Sequence, residues 1–224
     1  MNRQEFGRLL NLREVMIPAG RPNRPGSAIT PTSITVHNTS NTGAGANAAA
    51  HAKFVTQTGY YMLNGNKNWV SWHYTVDDKE VIKHLPLNEK AIHAGSANGQ
   101  SIAIEICMHQ GIDQQAANLR AARLVAALLH DFGWGIQAVR THRSWTGKKC
   151  PTLLLDNGKE GGTWDAFCQR ILQERNSIGL PPALVAVADE RTVRPEVVMA
   201  AAAAASTSVA PEGDIIHRAV RLSP

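Results

Sequence analysis

The segment "SIAIEICM", residues 101–108, constrains the fold most strongly because its apolar residues alternate with other side chains. In an extended chain, successive side chains point to opposite faces, so Ile102, Ile104 and Ile106 share one face and Glu105 lies on the other. This alternation predicts a β-strand whose isoleucine face is buried. Glu105 therefore stands on the less apolar face of a central strand.

Four other segments have the pattern of strands. "SITVHNT" predicts a strand that ends near His37, and "IQAVRTH" predicts a short strand that ends near His142. "VSWHYTV" and "EVIKHL" flank the turn-forming "DDK" and predict a β-hairpin. The alternation in "VSWHYTV" places Trp72, Tyr74 and Val76 on one face.

Three segments have a helical pattern. Asn47 is a suitable N-cap for a helix that ends at Gly59. Residues 113–132 are apolar on almost every side, which predicts a well-buried helix that ends at Gly133. Residues 164–174 predict a further helix.

The composition changes near residue 175, which divides the 224-residue chain into a globular part and an appendage. Residues 1–175 contain the periodic segments described above. Residues 176–224 are rich in alanine and proline and have little amphipathic pattern, so we expect a loosely attached or partly helical C-terminal tail.

Charge and cysteine content narrow the possible partners. The net charge is +5, but the chain has neither a run of Lys and Arg nor an aromatic-basic stripe, so we expect no nucleic-acid partner. Three cysteines without a signal sequence argue against a disulfide framework.

The absence of a long apolar run predicts no stable membrane insertion, and the N-terminal segment lacks the features of a signal peptide. We therefore expect synthesis in the cytoplasm. We also expect the protein to be a monomer.

Several polar residues could form a metal site. His37 and His142 each end a predicted strand, and Cys150 lies in the loop of "THRSWTGKKCP". Two imidazoles, one thiolate and a water match the ligand set of a hydrolytic zinc site. Glu105 could take a proton from that water, and Lys148 could stabilise an oxyanion because its side chain points the same way as Cys150 in an extended loop. From these residues alone, an ordinary solvated loop remains an alternative to a metal site.

Specific motifs identify a family resemblance. The segments "ITVHNT…GANAAAHA", "SWHYTVDD", "AIHAG", "SIAIEIC" and "THRSWTGKKCP" occur in this order within residues 15–155. With them the chain resembles the type 2 family of N-acetylmuramoyl-L-alanine amidases, which includes phage lysozyme-amidases and is related to peptidoglycan-recognition proteins. The resemblance implies an α/β fold, with a mixed central β-sheet flanked by helices, for a zinc amidase domain within residues 1–175.

The same resemblance implies a role for each candidate residue. It implies one Zn²⁺ held by His37, His142 and Cys150. Glu105 matches the general base of the family, and Lys148 matches the lysine that supports the transition state.

Three further residues lie in segments that line the groove of the family. Trp72 stands where other branches of the family have a tyrosine, and its indole ring cannot act as a general acid or base. His73 and His93 are candidates for substrate contact or for support of the ligands, and a purely structural role is an equal alternative for both.

The resemblance implies hydrolysis of the amide between the lactyl group of muramic acid and the L-alanine of peptidoglycan. We favour a phage or prophage endolysin that reaches the cell wall in the periplasm with the help of a holin. Two alternatives remain open, namely a cytosolic amidase that recycles soluble muropeptides and a non-catalytic protein that binds peptidoglycan.

Overall fold

A computed structural model of the chain describes residues 1–179, and most of the predicted tail lies outside the described residues. The helices are α1 (Arg3–Arg8), α2 (Ala48–Lys53), α3 (Gln114–Phe132), α4 (His142–Thr146) and α5 (Gly162–Ser177). The strands are β1 (Leu12–Glu14), β2 (Ser33–Asn38), β3 (Tyr60–Leu63), β4 (Asn66–Trp69), β5 (Tyr74–Val76), β6 (Val81–Lys83), β7 (Ser101–Ile106) and β8 (Val139–Thr141).

Six strands form one mixed sheet in the order β1-β6-β5-β7-β2-β8. All neighbours in it are parallel except β5 and β6, which form the antiparallel hairpin that the sequence predicts. Helix α3 packs on one face of the sheet and α2 on the other, with α5 packed against α3. The predicted mixed sheet with flanking helices is confirmed.

Strand β7 lies inside the sheet and carries much of the core. Ile102, Ile104 and Ile106 are fully buried in the cluster that contains the apolar face of α3. Each buried isoleucine contributes roughly 1.5–3 kcal/mol relative to an exposed one. The predicted face of the strand is therefore correct.

The ends of the long helix follow from local chemistry. The Asp113 carboxylate accepts a hydrogen bond from the backbone N–H of Ala116, and Gly133 ends the helix with φ of 68°. Helix α2 begins after Asn47 in the same way and continues as a π-helical turn to Gly59. The sequence predicted these boundaries because capping residues mark them.

The face predicted for Trp72 is wrong. The chain bends at His73, and β5 begins only at Tyr74. Tyr74 and Val76 enter the core beside α3, whereas Trp72 packs in a different cluster with Ile17. The prediction failed because strict alternation holds only while the strand is continuous.

A second hairpin, β3–β4, lies outside the main sheet and was not predicted. Its turn is formed by Asn64 and Gly65, whose φ angles are 50° and 78°. Two positive φ angles at the centre of a two-residue turn favour Asn-Gly. This hairpin forms one wall of the cavity described below.

Two further observations concern the whole described region. Helix α5 ends at Ser177, two residues beyond the predicted boundary at 175, and the assignment of residues 176–224 to a tail stays a prediction. Within residues 1–179, no helix combines the length and apolar character that crossing a bilayer requires.

Candidate metal centre

The three predicted ligands converge at the carboxyl-terminal edge of the sheet. One ligand atom from each of His37, His142 and Cys150 lies within 4.8 Å of the others, and all three residues are buried. The two Nδ1 atoms are 3.0 Å apart, and Cys150 Sγ is 3.7 Å from His37 Nδ1. Ligand atoms around a tetrahedral zinc lie about 3.3–3.8 Å apart, given its bond lengths. The donor set therefore fits zinc in its chemistry, and its spacing is close to that of a tetrahedral site, with the two Nδ1 atoms slightly nearer to each other.

Two parallel strands bring the histidines together. His37 lies near the end of β2, and His142 begins α4 directly after β8, which pairs with β2. The Thr141 side chain caps α4 by accepting a hydrogen bond from the backbone N–H of Ser144. Because the carboxyl ends of parallel strands meet at one edge, residues 105 positions apart in sequence become neighbours.

Backbone hydrogen bonds hold Cys150 in place. The Cys150 carbonyl accepts from the N–H of Arg143 at 2.9 Å, which ties the loop to α4. Nearby, the Asn38 side chain accepts from the N–H of Leu153 at 2.9 Å. The loop that carries the thiol is thus fixed to β2 and α4, the elements that carry the histidines.

Glu105 completes the centre from the neighbouring strand. It is the register partner of His37 in the parallel pairing of β2 and β7. Its Oε1 atom is 3.8 Å from His37 Nδ1, and its Oε2 atom is buried and has no hydrogen-bond partner among the described residues. Burial raises the pKa of Glu105 to about 8, opposed in part by the positive charge of Lys148. A cation or a bound water beside Oε2 would satisfy this carboxylate.

Burial also sets the protonation of the three ligands. It lowers the pKa of His37 well below its usual value and that of His142 to about 4, so both imidazoles are neutral and offer a lone pair. Burial raises the pKa of Cys150 to about 12, so its thiolate needs a nearby cation. Neutral imidazoles and a thiol that ionises on metal binding are what a zinc site requires.

Only one of the two adjacent lysines faces the centre. Lys148 is exposed and lines the cavity that contains the three ligands. The stem of Lys149 instead lies along Gly158, on which a Cβ atom would stand 2.8 Å from it. The structure therefore places Lys148 rather than Lys149 at the cavity, and the role of Lys148 stays a prediction.

The cavity is a cleft of about 810 Å³ above the centre. Its apolar and aromatic lining comes from the π-helical turn after α2, the β3–β4 hairpin, the segment before β5 and the segment before β7. These lining residues are Phe54, Tyr61, Trp69, Val70, Trp72 and Ile92. Its polar lining residues include Asn41, Asn98, Thr146 and Lys148. A cleft of this size with a mixed lining can hold a substrate beside the candidate metal centre.

The three remaining candidates have different surroundings. Trp72 and His93 line the cavity, and His93 Nδ1 is 3.0 Å from His37 Nε2. His73 does not line the cavity and is fully buried. Its Nδ1 accepts from the N–H of Ala103 at 2.9 Å, and its Nε2 donates to the Glu89 carbonyl at 2.9 Å. The structure therefore places His73 away from the cavity, with both ring nitrogens engaged at the bend before β5.

Sequence reasoning missed part of the cavity wall. His51 on α2 and the hairpin residues Tyr61, Asn68 and Trp69 all line the cavity. The hairpin could have been found from "NG" between two short runs of strand-forming residues. His51 lies four residues after Asn47, whose carbonyl its Nδ1 contacts at 2.9 Å, and nothing in that spacing distinguishes it from a structural residue.

Comparison with known proteins gives one family. The family model described as N-acetylmuramoyl-L-alanine amidase matches residues 27–153, a range that contains all three candidate ligands, Glu105 and Lys148. The N-acetylmuramoyl-L-alanine amidase XlyA of Bacillus subtilis (strain 168) is 44% identical over 163 residues, which cover 71% of this chain. That alignment covers 50% of XlyA, so the chain spans about half the length of this curated relative.

Solved structures agree with this result. The catalytic domain of XlyA matches with a TM-score of 0.63 and 44% identity, covering 72% of this chain and 99% of that domain. A mutant endolysin from Bacillus subtilis matches with a TM-score of 0.63 and 43% identity, with the same coverage of 72% and 99%. The region of similarity is therefore the part of the chain that carries the candidate metal centre.

Proposed function

Because this chain belongs to the N-acetylmuramoyl-L-alanine amidase family, we propose that it hydrolyses the amide between the lactyl group of muramic acid and the L-alanine of peptidoglycan. The observation that carries this proposal is the convergence of His37, His142 and Cys150 beside Glu105, at the base of an open cleft. An exposed lysine reaches the same place. Together these groups supply a metal site, a proton acceptor and a positive charge, which are the three functions that this amide hydrolysis uses.

The residues at the centre fit a zinc ion, which His37, His142 and Cys150 would hold. A zinc ion bound there supplies a water of lowered pKa and a Lewis acid for the substrate carbonyl. The buried Glu105 Oε2 atom supports this assignment, since it needs a polar neighbour that residues 1–179 do not provide.

Two residues perform the proton and charge chemistry. Glu105 accepts a proton from the attacking water and passes it to the departing amine of L-alanine, as its place beside the ligands allows. The Lys148 ammonium group stabilises the negative charge that develops on the carbonyl oxygen. Trp72 takes no part in proton transfer, and its Nε1 is occupied by a hydrogen bond to Thr75 Oγ1 at 2.7 Å.

We assign the chain to the lytic enzymes that open intact cell wall. Similarity to an endolysin of known structure supports this assignment, as does the open cleft, which admits a polymer. The protein would then be made in the cytoplasm and act on peptidoglycan in the periplasm after release. A recycling amidase would instead prefer soluble muropeptides. A protein that only binds peptidoglycan would cut neither intact cell wall nor soluble muropeptides.

Mass spectrometry of digested sacculi tests the reaction. We expect free amino termini on L-alanine, intact glycan strands and faster cleavage of sacculi than of soluble muropeptides. The Glu105→Gln variant, which keeps the shape of the side chain but not its basicity, is the matched control. Cleavage within the glycan, or cleavage at a peptide bond inside the stem, would contradict the proposal.

A further inference from the structure

A continuous row of polar side chains begins at His37, and in it Thr35, His37 and Ser101 are buried whereas His93 and Trp145 are half-buried. His37 Nε2 is 3.0 Å from His93 Nδ1, and His93 Nε2 is 3.3 Å from Ser101 Oγ. Ser101 Oγ is 2.7 Å from Thr35 Oγ1, which accepts a hydrogen bond from Trp145 Nε1 at 3.0 Å. Every link is within hydrogen-bond distance, so the five side chains form one chain of hydrogen bonds.

Three of the five side chains in this row lie on elements that also carry candidate ligands. Thr35 and His37 are on β2, with their side chains on the same face because they are two positions apart. Trp145 is on α4, which begins with His142. Asn98 holds His93 in place, since its side-chain oxygen accepts from the backbone N–H groups of His93 and Ala94 at 2.9 and 2.8 Å.

The hydrogen bonds between His37, His93 and Ser101 can run in two directions. The two directions differ in which nitrogen of His37 carries the proton. In one direction, His37 donates from Nε2 to His93 Nδ1, His93 donates from Nε2 to Ser101, and His37 Nδ1 keeps a free lone pair. In the other direction, His93 donates to His37 Nε2, and the proton of His37 then sits on Nδ1. A neutral imidazole has one donor and one acceptor nitrogen, so no other arrangement satisfies both rings.

We infer that His93 is a positioning residue whose Nδ1 accepts from His37 Nε2 while its Nε2 donates to Ser101, so that His37 Nδ1 is free to bind the metal. This inference rests on the proposed function, since it concerns the same zinc site. The geometry supports it because His37 Nδ1 is the atom that faces His142 and Cys150, at 3.0 and 3.7 Å. A hydrogen bond on the second nitrogen of a ligating histidine fixes ring orientation and raises its basicity.

Zinc affinity of the metal-free protein tests the role of His93 without reference to activity. We expect His93→Ala to weaken zinc binding by about 10- to 100-fold in a chelator competition assay. His93→Asn should recover most of that affinity, because the amide oxygen can accept from His37 Nε2 in place of Nδ1. Ser101→Ala, a smaller change, should weaken binding less than His93→Ala.

The matched control is His84→Gln, a change to another buried histidine, directly after β6, that does not line the cavity. It should leave zinc affinity unchanged. Long-range ¹H–¹⁵N spectra of the zinc-loaded protein give a second readout, in which His37 should carry its proton on Nε2.

The inference is overturned if His93→Ala binds zinc as tightly as the parent protein, or if His93→Asn is no better than His93→Ala. A proton on His37 Nδ1 in the zinc-loaded protein would also overturn it. Failure of the parent protein to bind zinc would instead contradict the proposed function, so the two failures are distinguishable. If His93→Ala does not fold, Ser101→Ala and the spectra decide.

Discussion

Glu105 stands directly beside His37 in the parallel pairing of β2 and β7, with Oε1 3.8 Å from His37 Nδ1. Register partners on neighbouring strands lie about 4.8 Å apart and project from the same face of the sheet. The proposed general base and one proposed metal ligand are therefore held by sheet hydrogen bonds rather than by a loop. This arrangement would fix the base relative to a metal bound by His37 before substrate arrives.

Replacing Glu105 by Gln should abolish turnover while leaving zinc bound. The amide cannot accept the proton of the water, so we expect kcat to fall by about 10²- to 10⁴-fold. Activity on sacculi and zinc content of the same preparation, by inductively coupled plasma mass spectrometry, check both parts. Full activity in Glu105→Gln would show that another group serves as base.

Replacing Cys150 by Ser should remove zinc and activity together. The thiolate is one of three candidate ligands, and a serine hydroxyl stays protonated and binds zinc weakly. The matched control is Cys168→Ser, since Cys168 is a free, half-buried cysteine on α5. A Cys150→Ser variant with stoichiometric zinc would argue that the thiol is not a ligand.

Lys148→Ala should lower kcat far more than it changes zinc content. Loss of one group that stabilises an oxyanion costs about 10²- to 10³-fold in kcat. Lys149→Ala is the matched control, because Lys149 carries the same charge at the adjacent position but lies along Gly158. Steady-state kinetics on a soluble muropeptide separate the two variants, and equal losses would mean that only the net charge of the loop matters.

The stability of the protein should fall as the pH falls from 6.5 to 4. Burial lowers the pKa of His73 and of His84 from 6.5 to about 4, so the unfolded chain takes up protons in this window that the native state does not. The stabilisation is fully present above pH 6.5 and is lost on acidification, with each histidine contributing on the order of 3 kcal/mol.

Urea unfolding at several pH values measures this effect. The His84→Gln variant removes one of these titrating groups, so its free energy of unfolding should depend less steeply on pH between 6.5 and 4. An unchanged slope in this variant would show that His84 titrates alike in the folded and unfolded chain. The other buried histidines remain in both proteins and do not affect the comparison.

Much of the fold could be predicted because its sequence patterns are local. The alternation of Ile102, Ile104 and Ile106 identified β7, and the capping residues Asp113 and Gly133 marked the ends of α3. The bend at His73 could not be predicted, because the tertiary contacts of its ring with Ala103 and Glu89 hold it there. The β3–β4 hairpin was overlooked although its Asn64-Gly65 turn is a local feature.

The candidate site was predictable as a set of residues but not as an arrangement. The family motifs singled out His37, His142 and Cys150, which the fold brings within 4.8 Å of one another. The pairing of Glu105 with His37 depends on strand order and register, which alternation does not specify. The link from His93 to His37 depends on the loop that Asn98 holds, so it too required the structure.

The central claim is that His37, His142 and Cys150 hold a zinc ion on which hydrolysis depends. The most direct measurement determines the zinc content of the purified protein and its activity on sacculi before chelation, after chelation and after zinc is restored. We predict one zinc per chain, loss of activity with loss of the metal, and recovery when zinc is added back. Protein that contains no stoichiometric metal and cuts sacculi equally well after chelation would contradict the account.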